Sequence, residues 1–128
     1  MQYEYFYGAQ AEQFSFYRIP KALFTEPNFR ELSTDAKVLY GILLDRMSLS
    51  LKNQWLDAQN KVYIIFTVEE IMDALNCANQ KATRLMVELE KQAGLIERKR
   101  QGLGRPNLIY VKNFAATIND KICEKGDS

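Results

Sequence analysis

The sequence predicts an α+β chain, a winged helix-turn-helix with an extended aromatic N-terminal arm, on three observations. Two short amphipathic helical patterns, residues 68–75 and 82–89, are joined by a tight turn, as in a helix-turn-helix. Two strand-like runs, 95–100 and 108–111, follow at once and flank a tip containing Gly102, Gly104 and Pro106. Upstream, a longer helical pattern and a strand-like run complete the order helix, strand, helix, helix, ribbon.

The totals set the frame for these elements. A chain of 128 residues buries about two-thirds of its unfolded surface around one core, so a single folded domain is expected. Apolar residues at 47% and charged residues at 26% are those of an ordinary globular chain. No apolar run approaches the ~20 residues of a membrane span. The first residues, Met1-Gln2-Tyr3-Glu4-Tyr5, lack the basic start and apolar stretch of a secretory signal, so a cytoplasmic, membrane-free chain is expected. There is no histidine, and Cys77 and Cys123 are the only cysteines. Zinc centres, Ser-His or Cys-His pairs and imidazole bases therefore lack their residues. No enzyme, metal or cofactor is expected, and Cys77 reads as a small buried hydrophobe.

Taken in order, the first segment holds seven of the fifteen aromatic residues: Tyr3, Tyr5, Phe6, Tyr7, Phe14, Phe16 and Tyr17. Their partial alternation has the period of extended chain with one face covered. An arm packed on its own domain, an arm that forms a dimer and a platform that stacks single-stranded bases all fit; scarcity of basic residues before Arg18 counts against the last. After Pro20 and Pro27, Ser33 can cap a helix whose positive end Asp35 complements. Ala36, Leu39, Tyr40, Leu43 and Met47 form its apolar stripe, carrying it to about Ser48. Trp55-Leu56 and a buried run over 62–66 then flank the polar turn at 57–60, a short hairpin.

Thr67-Val68-Glu69-Glu70 has the form of a capping box, and Asn76 can take the left-handed turn that ends the helix it opens. Glu69 and Glu70 thus fit capping better than paired-carboxylate catalysis. Ala82, Leu85, Met86 and Leu89 give the next helix its buried stripe until Gly94 closes it. Its opposite face carries Asn79, Gln80, Lys81, Thr83, Arg84 and Glu88. Asn or Gln pairs two-pronged with adenine, Arg with guanine, and Thr offers a hydroxyl and a methyl to thymine. All but Glu88 lie in the first half of the helix, the half that enters the major groove deepest. In the ribbon, Arg98, Lys99, Arg100 and Arg105 surround Gly102 and Gly104, which let the tip lie against phosphates or enter the minor groove. Lys112 and Arg46 are secondary candidates. Between residues 79 and 112 eight bases face three acids, an excess of five that leaves −4 on the rest of a chain whose total is +1. A near-neutral chain with one basic segment points to a local anionic partner, double-stranded DNA.

From Phe16 to Phe114 the sequence closely resembles the N-terminal domain of RepA-type plasmid replication initiators of low-GC Gram-positive bacteria. The runs that carry the resemblance are Phe16-Tyr17-Arg18-Ile19-Pro20-Lys21-Ala22-Leu23-Phe24, residues 32–46, and Lys52-Asn53-Gln54-Trp55-Leu56-Asp57 leading to Tyr63-Ile64-Ile65-Phe66. The resemblance implies sequence-specific binding at repeated sites in a plasmid origin, by a homodimer, to initiate replication. It also implies contact with host replication proteins through a C-terminal domain, which nothing after Asp120 could form. Residues 1–17 are then the arm, 18–114 the winged-helix DNA-binding domain and 115–128 a tail or linker. A winged-helix transcriptional repressor and a winged-helix protein-interaction module are the alternative functions.

Overall fold

The structure is a computed structural model, and it describes residues 2–8 and 14–116. Cys123 and most of the expected tail lie outside the described residues. The chain enters over Arg18 and Ile19, which cross the second helix so closely that a Cβ at Gly41 would stand 2.8 Å from Ile19 Cγ1 and 3.0 Å from the Arg18 carbonyl. The sequence reading gave no element to the two-proline stretch that follows. It folds instead into α1 (Ala22–Thr25) and a 3₁₀ turn (Pro27–Phe29). Pro27 presets the turn's first φ, and Leu23 and Phe29 anchor both pieces in the core.

Helix α2 (Thr34–Lys52) begins as expected at Ser33, whose Oγ accepts from the Ala36 amide at 3.2 Å. It runs one turn beyond Ser48, because residues 48–52 contain no breaker; the chain turns off only at Gln54, where φ is 59°. Tyr40, 2% exposed, donates its hydroxyl to the Lys112 carbonyl at 3.0 Å, tying α2 to the far end of the ribbon. Burial pushes that phenol up to about 12, so it stays a neutral donor.

The hairpin forms at Leu56 and Val62, with Asp57 as its clasp. That carboxylate accepts from the amides of Gln59 and Lys61 and from the Tyr110 hydroxyl. Of the run expected to be buried, only Ile64 and Phe66 are; Val62, Tyr63 and Ile65 are half-buried. The two-residue period of extended chain turns Tyr63 and Ile65 to the other face; Val62 shares the face of Ile64 and Phe66 but sits in the isolated bridge to Leu56, at the mouth of the hairpin. Ile64 pairs with Ile109 and so adds one rung to the ribbon β1 (Ile96–Lys99) and β2 (Leu108–Val111), which are antiparallel with Ile96 opposite Val111 and Lys99 opposite Leu108.

Helix α3 (Val68–Leu75) carries the full capping box: Thr67 Oγ1 accepts from the Glu70 amide and Glu70 Oε1 from the Thr67 amide. Asn76 ends it at φ 53°, in the left-handed region. Helix α4 (Asn79–Val87) follows, continues as a π-helical turn over Glu88–Gln92, and the chain reverses at Gly94. Leu39, Leu43, Ile71, Leu85, Leu89, Ile96 and Ile109 meet in one core under the three main helices and the ribbon. This is the winged-helix order. Cys77 packs on the edge of that core and is half-buried rather than enclosed.

The arm is the part that the core leaves outside. Tyr5 is 82% exposed and Phe16 63%, and the other five aromatic residues there are exposed as well. Among the described residues the arm's rings are largely open, although Phe16 and Tyr17 border clefts along α2; Phe14 meets the rings of Phe6 and Phe16 edge-on, within the arm itself. Among the described residues no helix is long and apolar enough to cross a membrane.

Candidate nucleic-acid interface

Helix α4 is placed by its buried face. Ala82, Leu85 and Met86 sink into the core, and this fixes the rotation that leaves Asn79, Gln80, Thr83 and Arg84 exposed. Ala78, which precedes the helix, offers no side-chain cap. Among the described residues the first backbone amides of α4 are therefore without a side-chain acceptor, and they carry the positive end of the helix dipole. Thr83 Oγ1 stands 3.5 Å from Asn79 Oδ1, one turn away. Arg84 forms no ion pair among the described residues and ends this polar row with a full positive charge.

Two members of the expected face are engaged elsewhere. Lys81 is half-buried, and its Nζ lies 2.6 Å from Asp35 Oδ2 in the first turn of α2. Glu88, expected on the exposed face, is buried at 9% exposure. It accepts from the Ser33 backbone amide and, at 3.0 Å, from the Ser33 hydroxyl. Periodicity alone assigned Glu88 to solvent; donors 55 residues away in sequence satisfy it inside instead.

The ribbon carries the second cluster. Along β1 the side chains alternate, so Ile96 and Arg98 face inward while Glu97 and Lys99 face out. Arg98 lies against Glu90 of the π-helical turn, with Nε 2.9 Å from Oε1, a second guanidinium nitrogen at 2.8 Å and its backbone amide 3.1 Å from Oε2. Burial works to raise the Glu90 pKa, but the hydrogen bonds and charge of Arg98 outweigh it and hold the carboxyl below the usual glutamate range. Lys99, Arg100 and Arg105 are exposed and free of ion pairs among the described residues. Gly102 and Gly104 adopt φ of 120° and 78°, conformations that L side chains rarely take, and so make the sharp tip possible. The Gln101 side chain closes the loop, its Nε2 donating to the Pro106 carbonyl at 2.9 Å.

Leu103, between the two glycines, is fully exposed. Helical and strand periodicity do not mark it; the signal for it is an apolar residue set between glycines among cations. Of the secondary candidates, Arg46 pairs with Glu70 at 3.1 Å and covers the Phe66 ring, whereas the side chain of Lys112 is exposed. The structure leaves two clusters open: on α4 an uncapped helix start with an amide- and guanidinium-bearing face, and on the ribbon a tip of three open cations around an exposed leucine; Met86 of α4 and Arg105 of the tip line one cleft.

Known proteins share this fold. Residues 15–124 match the family model described as replication initiator protein A (RepA) N-terminus. A 41 kDa protein of Lactobacillus helveticus is 32% identical over 92 residues, which is 72% of this chain and 26% of that protein. The chain thus spans about a quarter of that relative's length. A solved structure described as the N-terminal domain of a DNA-binding protein is 36% identical and superposes with a TM-score of 0.73, covering 99% of this chain and 98% of that one. Another, described as a Rep-DNA complex, is also 36% identical, with a TM-score of 0.72 and 98% of both chains covered.

Proposed function

This chain belongs to the family of replication initiator protein A N-termini, and from that premise we propose that it binds double-stranded DNA at repeated sites in a plasmid origin and so starts replication. The observation that carries the reading is that α4 and the ribbon tip both leave polar and cationic side chains open, with Met86 of α4 and Arg105 of the tip lining one cleft. Asn79, Gln80, Thr83 and Arg84 of α4 read base edges in the major groove. The amides that begin α4 and the cations Lys99, Arg100 and Arg105 hold phosphates. Gly102 and Gly104 bring the tip down to the backbone, and Leu103 enters the minor groove as an apolar contact. Lys81 joins them by exchanging Asp35 for a phosphate, since an exposed ion pair contributes only about 0–1 kcal/mol. No catalytic step and no cofactor belong to this reading, which places the chain in the cytoplasm beside plasmid DNA.

The assembly we propose is a homodimer formed through the arm of residues 1–17, and the exposure of Tyr5, Phe6, Phe14, Phe16 and Tyr17 supports it. Contacts with host replication proteins fall to a C-terminal domain outside these residues. Two experiments test the two parts. Selection from a random duplex pool should enrich one motif that the chain then protects in footprinting of plasmid-origin DNA; failure to enrich any motif overturns sequence-specific binding. Sedimentation of a variant lacking residues 2–17 should give a monomer, and a persistent dimer would remove the arm from the interface.

A further inference from the structure

The end of the recognition helix is held from two sides. Glu88 and Glu90 are two residues apart and so project to nearly opposite sides of a helical turn. Glu88 reaches back to Ser33 at the start of α2, and Glu90 reaches forward to Arg98 in the wing. The ion pairs of Lys81 and Arg98, candidate DNA-contacting cations of α4 and the ribbon, also differ in kind. Lys81 and Asp35 share one contact, with side chains 42% and 52% exposed, open to replacement by a phosphate. Arg98 and Glu90 share three, one of them through the strand backbone, with side chains 26% and 16% exposed. Moving Arg98 to a phosphate would leave the Glu90 carboxylate shielded from water without its partner, which disfavours the exchange.

We propose that Glu90 is a positioning residue that fixes the wing against the recognition helix, and that Arg98 serves this clasp rather than the DNA backbone. The proposal rests on the DNA-binding reading above and takes Arg98 out of the wing contacts that the sequence led us to expect. Its geometric basis is that Glu90 holds both the backbone and the side chain of Arg98, next to the last residue of β1. Lys99, the first open cation, follows directly, so the path on which the tip leaves the domain is set at this point. The hydrogen bond to the Arg98 amide also occupies an edge donor of the ribbon, which leaves the strand less free to shift against α4.

The test compares Glu90→Ala and Glu90→Gln with the unaltered chain. Binding is measured to the duplex that the unaltered chain enriches from random DNA and to a random duplex of equal length, each across a salt series. Glu90→Ala should lower the ratio of selected to random binding on the order of ten-fold. Release of Arg98 should steepen the salt dependence on random DNA by about one unit. Glu90→Gln, which keeps an acceptor for the Arg98 amide, should fall between the two and serves alone if the alanine variant does not fold. In a chain where Lys99, Arg100 and Arg105 are alanine, the same Glu90 changes should alter binding to the selected duplex by less than about two-fold. Equal losses in both backgrounds would mean that Glu90 only stabilises the helix and would overturn the proposal, as would an unchanged ratio and slope. An unaltered chain that enriches no duplex would instead overturn the DNA-binding reading, and the proposal with it.

Discussion

Replacing Glu88 with alanine separates the position the structure gives this residue from the one its spacing implies. On an exposed helix face the substitution would change stability by no more than about 0.5 kcal/mol. In the structure it removes the acceptor of two hydrogen bonds from Ser33, one from the backbone amide and one from the hydroxyl. Hydrogen bonds to a charged group contribute about 1.5–3 kcal/mol each. Two effects offset part of that sum: the variant no longer has to bury a carboxylate, and the half-buried Ser33 can turn its donors to water. A net loss of about 2 kcal/mol remains, and in a chain of this size it corresponds to roughly 6–12 °C in Tm. Glu88→Gln, which keeps one acceptor and the shape, should lose about half as much. The measurement is urea unfolding followed by circular dichroism, with the slope unchanged so that the shift reports stability. A double-mutant cycle with Ser33→Ala should give a coupling of about 1 kcal/mol. A loss under 0.5 kcal/mol for Glu88→Ala, or a coupling of zero, would refute the buried contact.

Four further outcomes follow from the same geometry. Arg84→Ala should lose roughly 1–3 kcal/mol on the selected duplex and relax preference at one base pair, and an equal loss on random DNA would remove it from base readout. Lys99→Ala should weaken binding evenly across sequences and lower the salt slope by about one unit; an unchanged slope strikes it from the phosphate contacts. Leu103→Ala should reduce any bend measured in the bound duplex while leaving the salt slope alone, because it removes an apolar wedge and no charge; a changed slope with the same bend would contradict that role. Glu70, whose pKa is lowered chiefly by the Thr67 amide with further help from Arg46, contributes stability that is present above the ordinary glutamate range and is lost as pH falls through its depressed value. Glu70→Gln should therefore flatten the acid limb of a stability profile, and the same acid slope in both chains would show that the capping box carries none of it.

Much of the fold was legible because its boundaries are local chemistry. Ser33, the Thr67–Glu70 box, Asn76 and Gly94 each act on backbone within a few residues, and the ends they mark are those observed. What was missed depends on distant partners. The short turns at Ala22–Thr25 and Pro27–Phe29 owe their place to Leu23 and Phe29 reaching the core, and Glu88 owes its burial to Ser33. The arm shows the converse error. Alternation of tyrosines signals extended chain, yet nothing in the pattern says which surface covers it, and the domain's own core closes without it. In the candidate interface, spacing identified which residues share a face, but it could not show that Lys81 and Arg98 already have carboxylate partners.

Those partners change how the charge of the segment should be counted. Along the chain the three acids at Glu88, Glu90 and Glu97 dilute the eight bases between residues 79 and 112. In space, Glu90 is paired with Arg98 and Glu88 is turned inward to the Ser33 donors, so neither carboxylate lies open on the surface that an approaching polyanion meets. Arg84, Lys91, Lys99, Arg100, Arg105 and Lys112 remain exposed, with Glu97 the one exposed acid of the three. The field an anion meets is therefore more uniformly positive than the linear sequence indicates, although the total is unchanged. The same two carboxylates that would weaken attraction if exposed instead hold the recognition helix to α2 and to the wing. On the proposed DNA-binding reading, affinity for phosphate and the rigidity that base readout requires then come from one arrangement of charge, with the cations outside and the acids turned in to bind the parts together.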